Sequence, residues 1–116
     1  DLTNSRIHNY KRMERRRIKF QIGITYQTPV EKVEMVSQMV KEIIEKEAPV
    51  TEFDRGHFAA FGDFNLLYEF SYYVLSSEYR VYMDVQQRIN IHIMKAFAEQ
   101  GIEFAYPTQT LHIQKQ

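Results

Sequence analysis

Between residues 17 and 44 the hydrophobic period changes once, and that change limits what the chain can fold into. Ile18, Phe20, Ile22, Ile24 and Tyr26 alternate with Arg17, Lys19, Gln21, Gly23 and Thr25, the pattern of a strand with one buried face. Val33, Val36, Val40 and Ile43 then recur at three- and four-residue steps with Ile44 beside them, the stripe of an amphipathic helix. The switch is marked by start signals: Thr28 as N-cap, Pro29 at the first helical position and Glu31 completing a capping box. Pro49 stops the helix.

The same alternation follows in reverse order. Residues 50–61 read as a weaker strand centred on "HFAAF", with "DRG" as a bend before it and "GDFN" as the turn that follows. Leu66, Tyr68, Phe70, Tyr72 and Val74 then point one way and meet the helices. Leu67, Glu69, Ser71, Tyr73 and Leu75 point the other way, which leaves Leu67, Tyr73 and Leu75 on an uncovered face. A second helix runs from about Glu78 to Glu99, capped by Ser76 or Ser77, with Tyr82, Val85, Ile89, Ile93, Ala96 and Phe97 as its buried stripe. Gly101 supplies a left-handed residue past its last turn, and Ile102 folds back onto Phe97 as in a Schellman motif. After Pro107, "TLHIQ" reads as a last strand. The order β-α-β-β-α-β predicts an α+β, ferredoxin-like sandwich with two helices on one face of a mainly antiparallel sheet.

A chain of 116 residues supports one such domain. It contains no cysteine, which removes disulfides, thiolate catalysis and cysteine-ligated metals. No apolar run reaches the ~18 residues that span a bilayer, and no signal peptide is visible. The chain opens on Asp1 rather than Met, so it is expected to be cut from something longer. Formal charge balances to zero, which argues against a global attraction to nucleic acid or membrane. Locally the balance fails: "KRMERRRIK", residues 11–19, carries six basic side chains and one Glu, and residues 31–54 carry seven acids against three lysines.

Little in the pattern points to chemistry. His8, His57, His92 and His112 have none of the spacings that converge imidazoles on a metal, and no metal or cofactor is implied. Asp54, Asp63 and Asp84 are acid–base candidates only as carboxylates, and Asp63 beside Gly62 is a turn residue. There is no GxSxG, phosphate-binding loop or dinucleotide glycine pattern, so no catalytic residue is assigned and no enzyme is expected. A ferredoxin-like sheet with aromatics invites comparison with RNA-binding modules, but the first strand turns its aromatics inward, so nucleic acid is not an expected partner.

Four stretches taken in order carry a resemblance. "NSRIHNYKRMERRRIKF", "IGITYQTPVEKV", "FGDFNLLYEFSYYV" and "INIHIMKAFAEQGIEFAYPTQTLHI" resemble the C-terminal cytoplasmic domain of the small-conductance mechanosensitive channel (MscS-like) family. The resemblance covers essentially the whole chain. It implies residues 1–16 as a remnant of a preceding middle β domain and 17–116 as the ferredoxin-like domain. It implies a homo-oligomer, a heptamer in the best-known members, in the inner membrane, whose pore opens under bilayer tension and releases ions and small solutes on osmotic downshock. Copies of this domain would form the cytoplasmic vestibule, a structural and assembly role without catalysis, its partners being further copies and the transmembrane and middle β domains.

Under that reading Arg12, Arg15, Arg16, Arg17, Leu67, Tyr73 and Leu75 are the candidate contacts with a neighbouring subunit or domain. The apolar members would pack there, and the arginines would meet acidic groups or bias ion access. The alternative is a free-standing ferredoxin-like regulatory module binding a small ligand or RNA.

Overall fold

A computed structural model describes residues 15–105. The elements are β1 (Arg16–Ile24), α1 (Val30–Glu45), β2 (Thr51–Phe61), β3 (Leu66–Val74) and α2 (Tyr79–Gln100). The last strand expected in "TLHIQ", the arm at residues 1–14 and Arg12 lie outside the described residues.

The three strands form one sheet in the order β1-β3-β2, with both pairings antiparallel. β3 is therefore central, as its apolar character demands. Phe104 forms an isolated antiparallel bridge with Ile24, fixed by Thr25 N–H donating to Glu103 and Ala105 N–H donating to Gly23. Chain thus returns to the free side of β1, where a ferredoxin-like sheet takes its fourth strand.

Ile18, Ile22 and Ile24 from β1 and all five even-numbered residues of β3 pack in one core with Val36, Val40, Ile43 and Ile44 of α1 and Val85, Ile89, Ile93 and Phe97 of α2. Both helices cover the same face of the sheet. Buried hydroxyls hold the layers: Tyr68 Oη donates to the Val33 carbonyl at 2.8 Å, and Thr51 Oγ1 donates to the Ile44 carbonyl at 2.8 Å. At the ends of the helices, Lys32 Nζ reaches Gln100 Oε1 at 2.9 Å and Arg88 forks onto Glu47 at 2.8 and 3.0 Å, which fixes α1 and α2 antiparallel.

Local details differ from the sequence expectation in four places. The capping box does not form: α1 begins at Val30 with Pro29 at the cap position and no side-chain cap bond. Thr28 instead donates to the Thr25 carbonyl at 2.8 Å, because the turn before the helix offers its hydroxyl a nearer acceptor. β2 is a full eleven-residue strand, and the expected bend at "DRG" is a register shift between Phe53 and Arg55 that leaves Asp54 unpaired. Tyr26 lies beyond β1, about half exposed, and donates to the Gly62 carbonyl in the hairpin turn.

The fourth difference is at the second helix, where Glu78 occupies the cap position and Ser76 only accepts from the Glu78 N–H. Its C-terminal end matches expectation. Gly101 has φ +71°, Ile102 N–H donates to the Phe97 carbonyl at 2.9 Å, and Ile102 is buried. Phe104 then stacks on Phe97 with ring centroids 5.0 Å apart.

Candidate functional site

The sheet face turned away from the helices is built by register. Across it run the rows Arg17–Tyr73–Glu52, Lys19–Ser71–Arg55 and Gln21–Glu69–His57, each with β3 in the middle. Ser71 is buried although it lies on this outer face. The β2 register shift explains it: the unpaired Asp54 folds over the centre of the sheet and accepts the Ser71 hydroxyl. Arg17 approaches the same carboxylate at 3.5 Å and Arg55 at 3.9 Å. Gln21 Nε2 donates to Glu69 at 3.3 Å.

The outer face is thus a lattice of alternating charge rather than an apolar surface. Lys19, Gln21, Arg55, Glu69 and Ser71 surround a shallow depression of about 250 Å³ in it.

Six of the seven predicted contact residues are described. Arg15, Arg17 and Tyr73 come together. Arg15 Nη1 pairs with Glu52 at 3.0 Å while its guanidinium lies 4.1 Å over the Tyr73 ring, so Tyr73 is half-buried by its own chain. Arg16 turns to the helix side, 5.2 Å over Tyr82 and 5.8 Å over Tyr79. Leu75 follows the end of β3, exposed, its N–H donating to the Val50 carbonyl. Leu67 is half-buried at the opposite end of β3, beside Gly23 and Ala60, about 20 Å from Tyr73 along the strand. The predicted set is therefore divided: Arg15, Arg17 and Tyr73 meet on the outer face, Arg16 lies on the helix side, Leu75 follows the end of β3 and Leu67 sits at its far end.

Two exposed apolar groups were not singled out from the sequence. Tyr26, Phe58, Phe61 and Phe64 gather at the hairpin end, where Phe61 is 75% exposed and Phe58 stacks on Tyr68 with centroids 5.2 Å apart. Met83, Ile91 and Met94 line the outer side of α2, and Met94 is 63% exposed. The helix periodicity contained the second group, since these residues fall off the buried stripe at Val85, Ile89 and Ile93. The first needed the register that carries the end of β2 past α1.

Buried tyrosines dominate the electrostatics. Burial raises the Tyr68 hydroxyl to about 12 and pushes Tyr72 higher still. These are protonated, structural groups at neutral pH. Among the described residues no cluster of three His, Asp or Glu side chains could hold a metal ion. Asp54 lies near the start of β2, Asp63 in the turn past its other end and Asp84 on α2, the last two exposed, so the three carboxylates weighed from the sequence do not converge. No helix among the described residues is long and apolar enough to cross a membrane.

Comparison with known proteins places this architecture. The family described as "Mechanosensitive ion channel MscS, C-terminal" matches residues 18–104, which is nearly all of the described body. The small-conductance mechanosensitive channel MscMJ of Methanocaldococcus jannaschii is 36% identical over 115 residues, covering 99% of this chain and 33% of that protein. The large-conductance channel MscMJLR of the same organism is 32% identical, covering 94% of this chain and 31% of that protein. An MscS family protein of Aquifex aeolicus is 28% identical over 99% of this chain. The chain spans about a third of the length of these relatives. With its two helices on one antiparallel sheet and a family match from Ile18 to Phe104, the chain belongs to the MscS mechanosensitive channel family and corresponds to its C-terminal domain.

Proposed function

We propose that this domain is part of the cytoplasmic vestibule of a mechanosensitive channel that releases ions and small solutes when osmotic pressure falls. The carrying observation is that similarity to two proteins named as mechanosensitive channels runs through 99% and 94% of the chain while covering about a third of theirs. The domain's contribution is structural. It stands beside further copies of itself, seven by family resemblance, on the cytoplasmic side of the membrane, and catalyses nothing.

Leu75 and Leu67 are the predicted contacts whose apolar surface is left for a neighbouring subunit or the preceding β domain. Tyr73 offers only the part of its ring that Arg15 leaves open. Arg15, Arg16 and Arg17 are engaged within the chain, so they shape the contact more than they bridge it.

Pressure-clamp recording of the full-length protein in liposomes tests the reading. Suction is expected to open a conductance, and deletion of residues 15–105 to abolish assembly of the conducting protein. A full-length protein that inserts and stays silent up to membrane rupture would overturn it.

A further inference from the structure

The three consecutive arginines at the start of β1 each reach a different part of the fold. Arg15 passes over Tyr73 of β3 to Glu52 on β2, a strand that β1 does not touch. Arg16 goes to the other side of the sheet and lies against Tyr79 and Tyr82 in the first turn of α2. Arg17 returns to the outer face and joins Asp54, which Ser71 also holds. Three successive side chains therefore tie the first residues of the domain to β2, β3 and α2 together.

The place of this arrangement matters because the ladder with β3 is what holds the first residues of β1 among the described strands. Its ladder with β3 begins at Arg16–Val74, and among the described residues its other side meets the chain again near Gly23–Thr25. A pull on the chain preceding Arg15 would load the β1–β3 ladder at its first pair, and the ladder would open from that end one rung at a time. Contacts that bypass β3 change this, since the first rung cannot open until the ties to β2 and α2 are also broken.

We propose that Arg15, Arg16 and Arg17 form a clasp that makes the incoming chain and the domain one mechanical unit, so that force arriving through the preceding segment moves the domain instead of fraying β1. That force would come from the membrane portion rests on the channel reading; the clasp itself does not.

Hydrogen exchange on the 116-residue chain tests it. Gly23 and Thr25 turn their backbone groups toward Glu103–Ala105, so by alternation the Ile18 N–H faces β3 and reports opening of the first rungs. In R15Q/R16Q/R17Q, Ile18 exchange is expected to accelerate roughly tenfold, the combined effect of weak surface contacts, while Ile24 stays unchanged. The partner-side variant E52Q/Y79A is expected to act in the same direction at Ile18 alone. Unchanged Ile18 exchange in both variants, or equal acceleration at Ile18 and Ile24, would overturn the proposal. Neither result depends on whether the full-length protein conducts.

Discussion

Tyr68→Phe removes one oxygen and predicts a change of sign with pH. The ring stays, stacked between Phe58 and Phe70 at 5.2 and 6.1 Å. What is lost is the hydroxyl's bond to the Val33 carbonyl, the direct polar tie between β3 and α1. That carbonyl keeps its helical N–H partner, so the cost at neutral pH is one ordinary net hydrogen bond, about 1 kcal/mol. For a domain of this size that lowers Tm by about 4 °C.

At high pH a second effect opposes the first. Burial holds the native Tyr68 at about 12 against 10 for an exposed tyrosine. A raised native value means the full stability is present below pH 10 and is lost as pH climbs toward 12, because the unfolded chain releases its proton first. At pH 11 the wild type has lost about 1.4 kcal/mol through this one group, and the phenylalanine variant has lost nothing there. All other titrating groups are common to both proteins and cancel. Urea midpoints measured from pH 7 to 12 should therefore show the wild type more stable below, and the variant more stable above, a crossing near pH 11. Parallel curves across that range would refute the burial argument and the tyrosine's place in the core.

Other perturbations follow from the same coordinates. Gly56→Ala drives a methyl into the edge of the Phe70 ring at Cδ1, so an overpacking cost of about 1–3 kcal/mol should appear in chemical denaturation. Gly101→Ala meets no atom within 4 Å, and its cost of about 1 kcal/mol should come only from φ +71°; an asparagine there should recover part of it. Thr28→Ala should cost less than the roughly 1 kcal/mol of a true N-cap, because its hydroxyl serves the preceding turn, and a full cap-sized loss would restore the capping-box reading.

The architecture was legible because each element carries its own period. The even residues of β3 are all buried and α2 buries the Val85–Ile89–Ile93–Phe97 stripe, as alternation and helical spacing require. The Gly101–Ile102 stop was equally readable, since a left-handed residue followed by a fold-back leucine or isoleucine is local chemistry. Thr28 misled because a hydroxyl beside a helix start has two competing acceptors, and only the turn geometry selects one.

The surface was harder for a different reason. Arg15 and Glu52 are 37 residues apart and become partners only when β3 is inserted between their strands. The sequence shows a basic run and an acidic stretch but not the register that pairs them. A one-residue shift at Asp54 likewise turns a presumed bend into the lid over Ser71. Clustering of Phe61 and Phe64 depends on how far the hairpin extends beyond the helices, a length no local pattern encodes.

Subunit stoichiometry tests the central claim most directly. Native mass spectrometry of the full-length protein, released from detergent, should give a closed assembly of identical chains, seven in number. Cross-links between residues 15–105 of different copies should accompany it. A monomeric mass, with cross-links confined to single chains, would contradict a domain whose work is to stand beside its own copies.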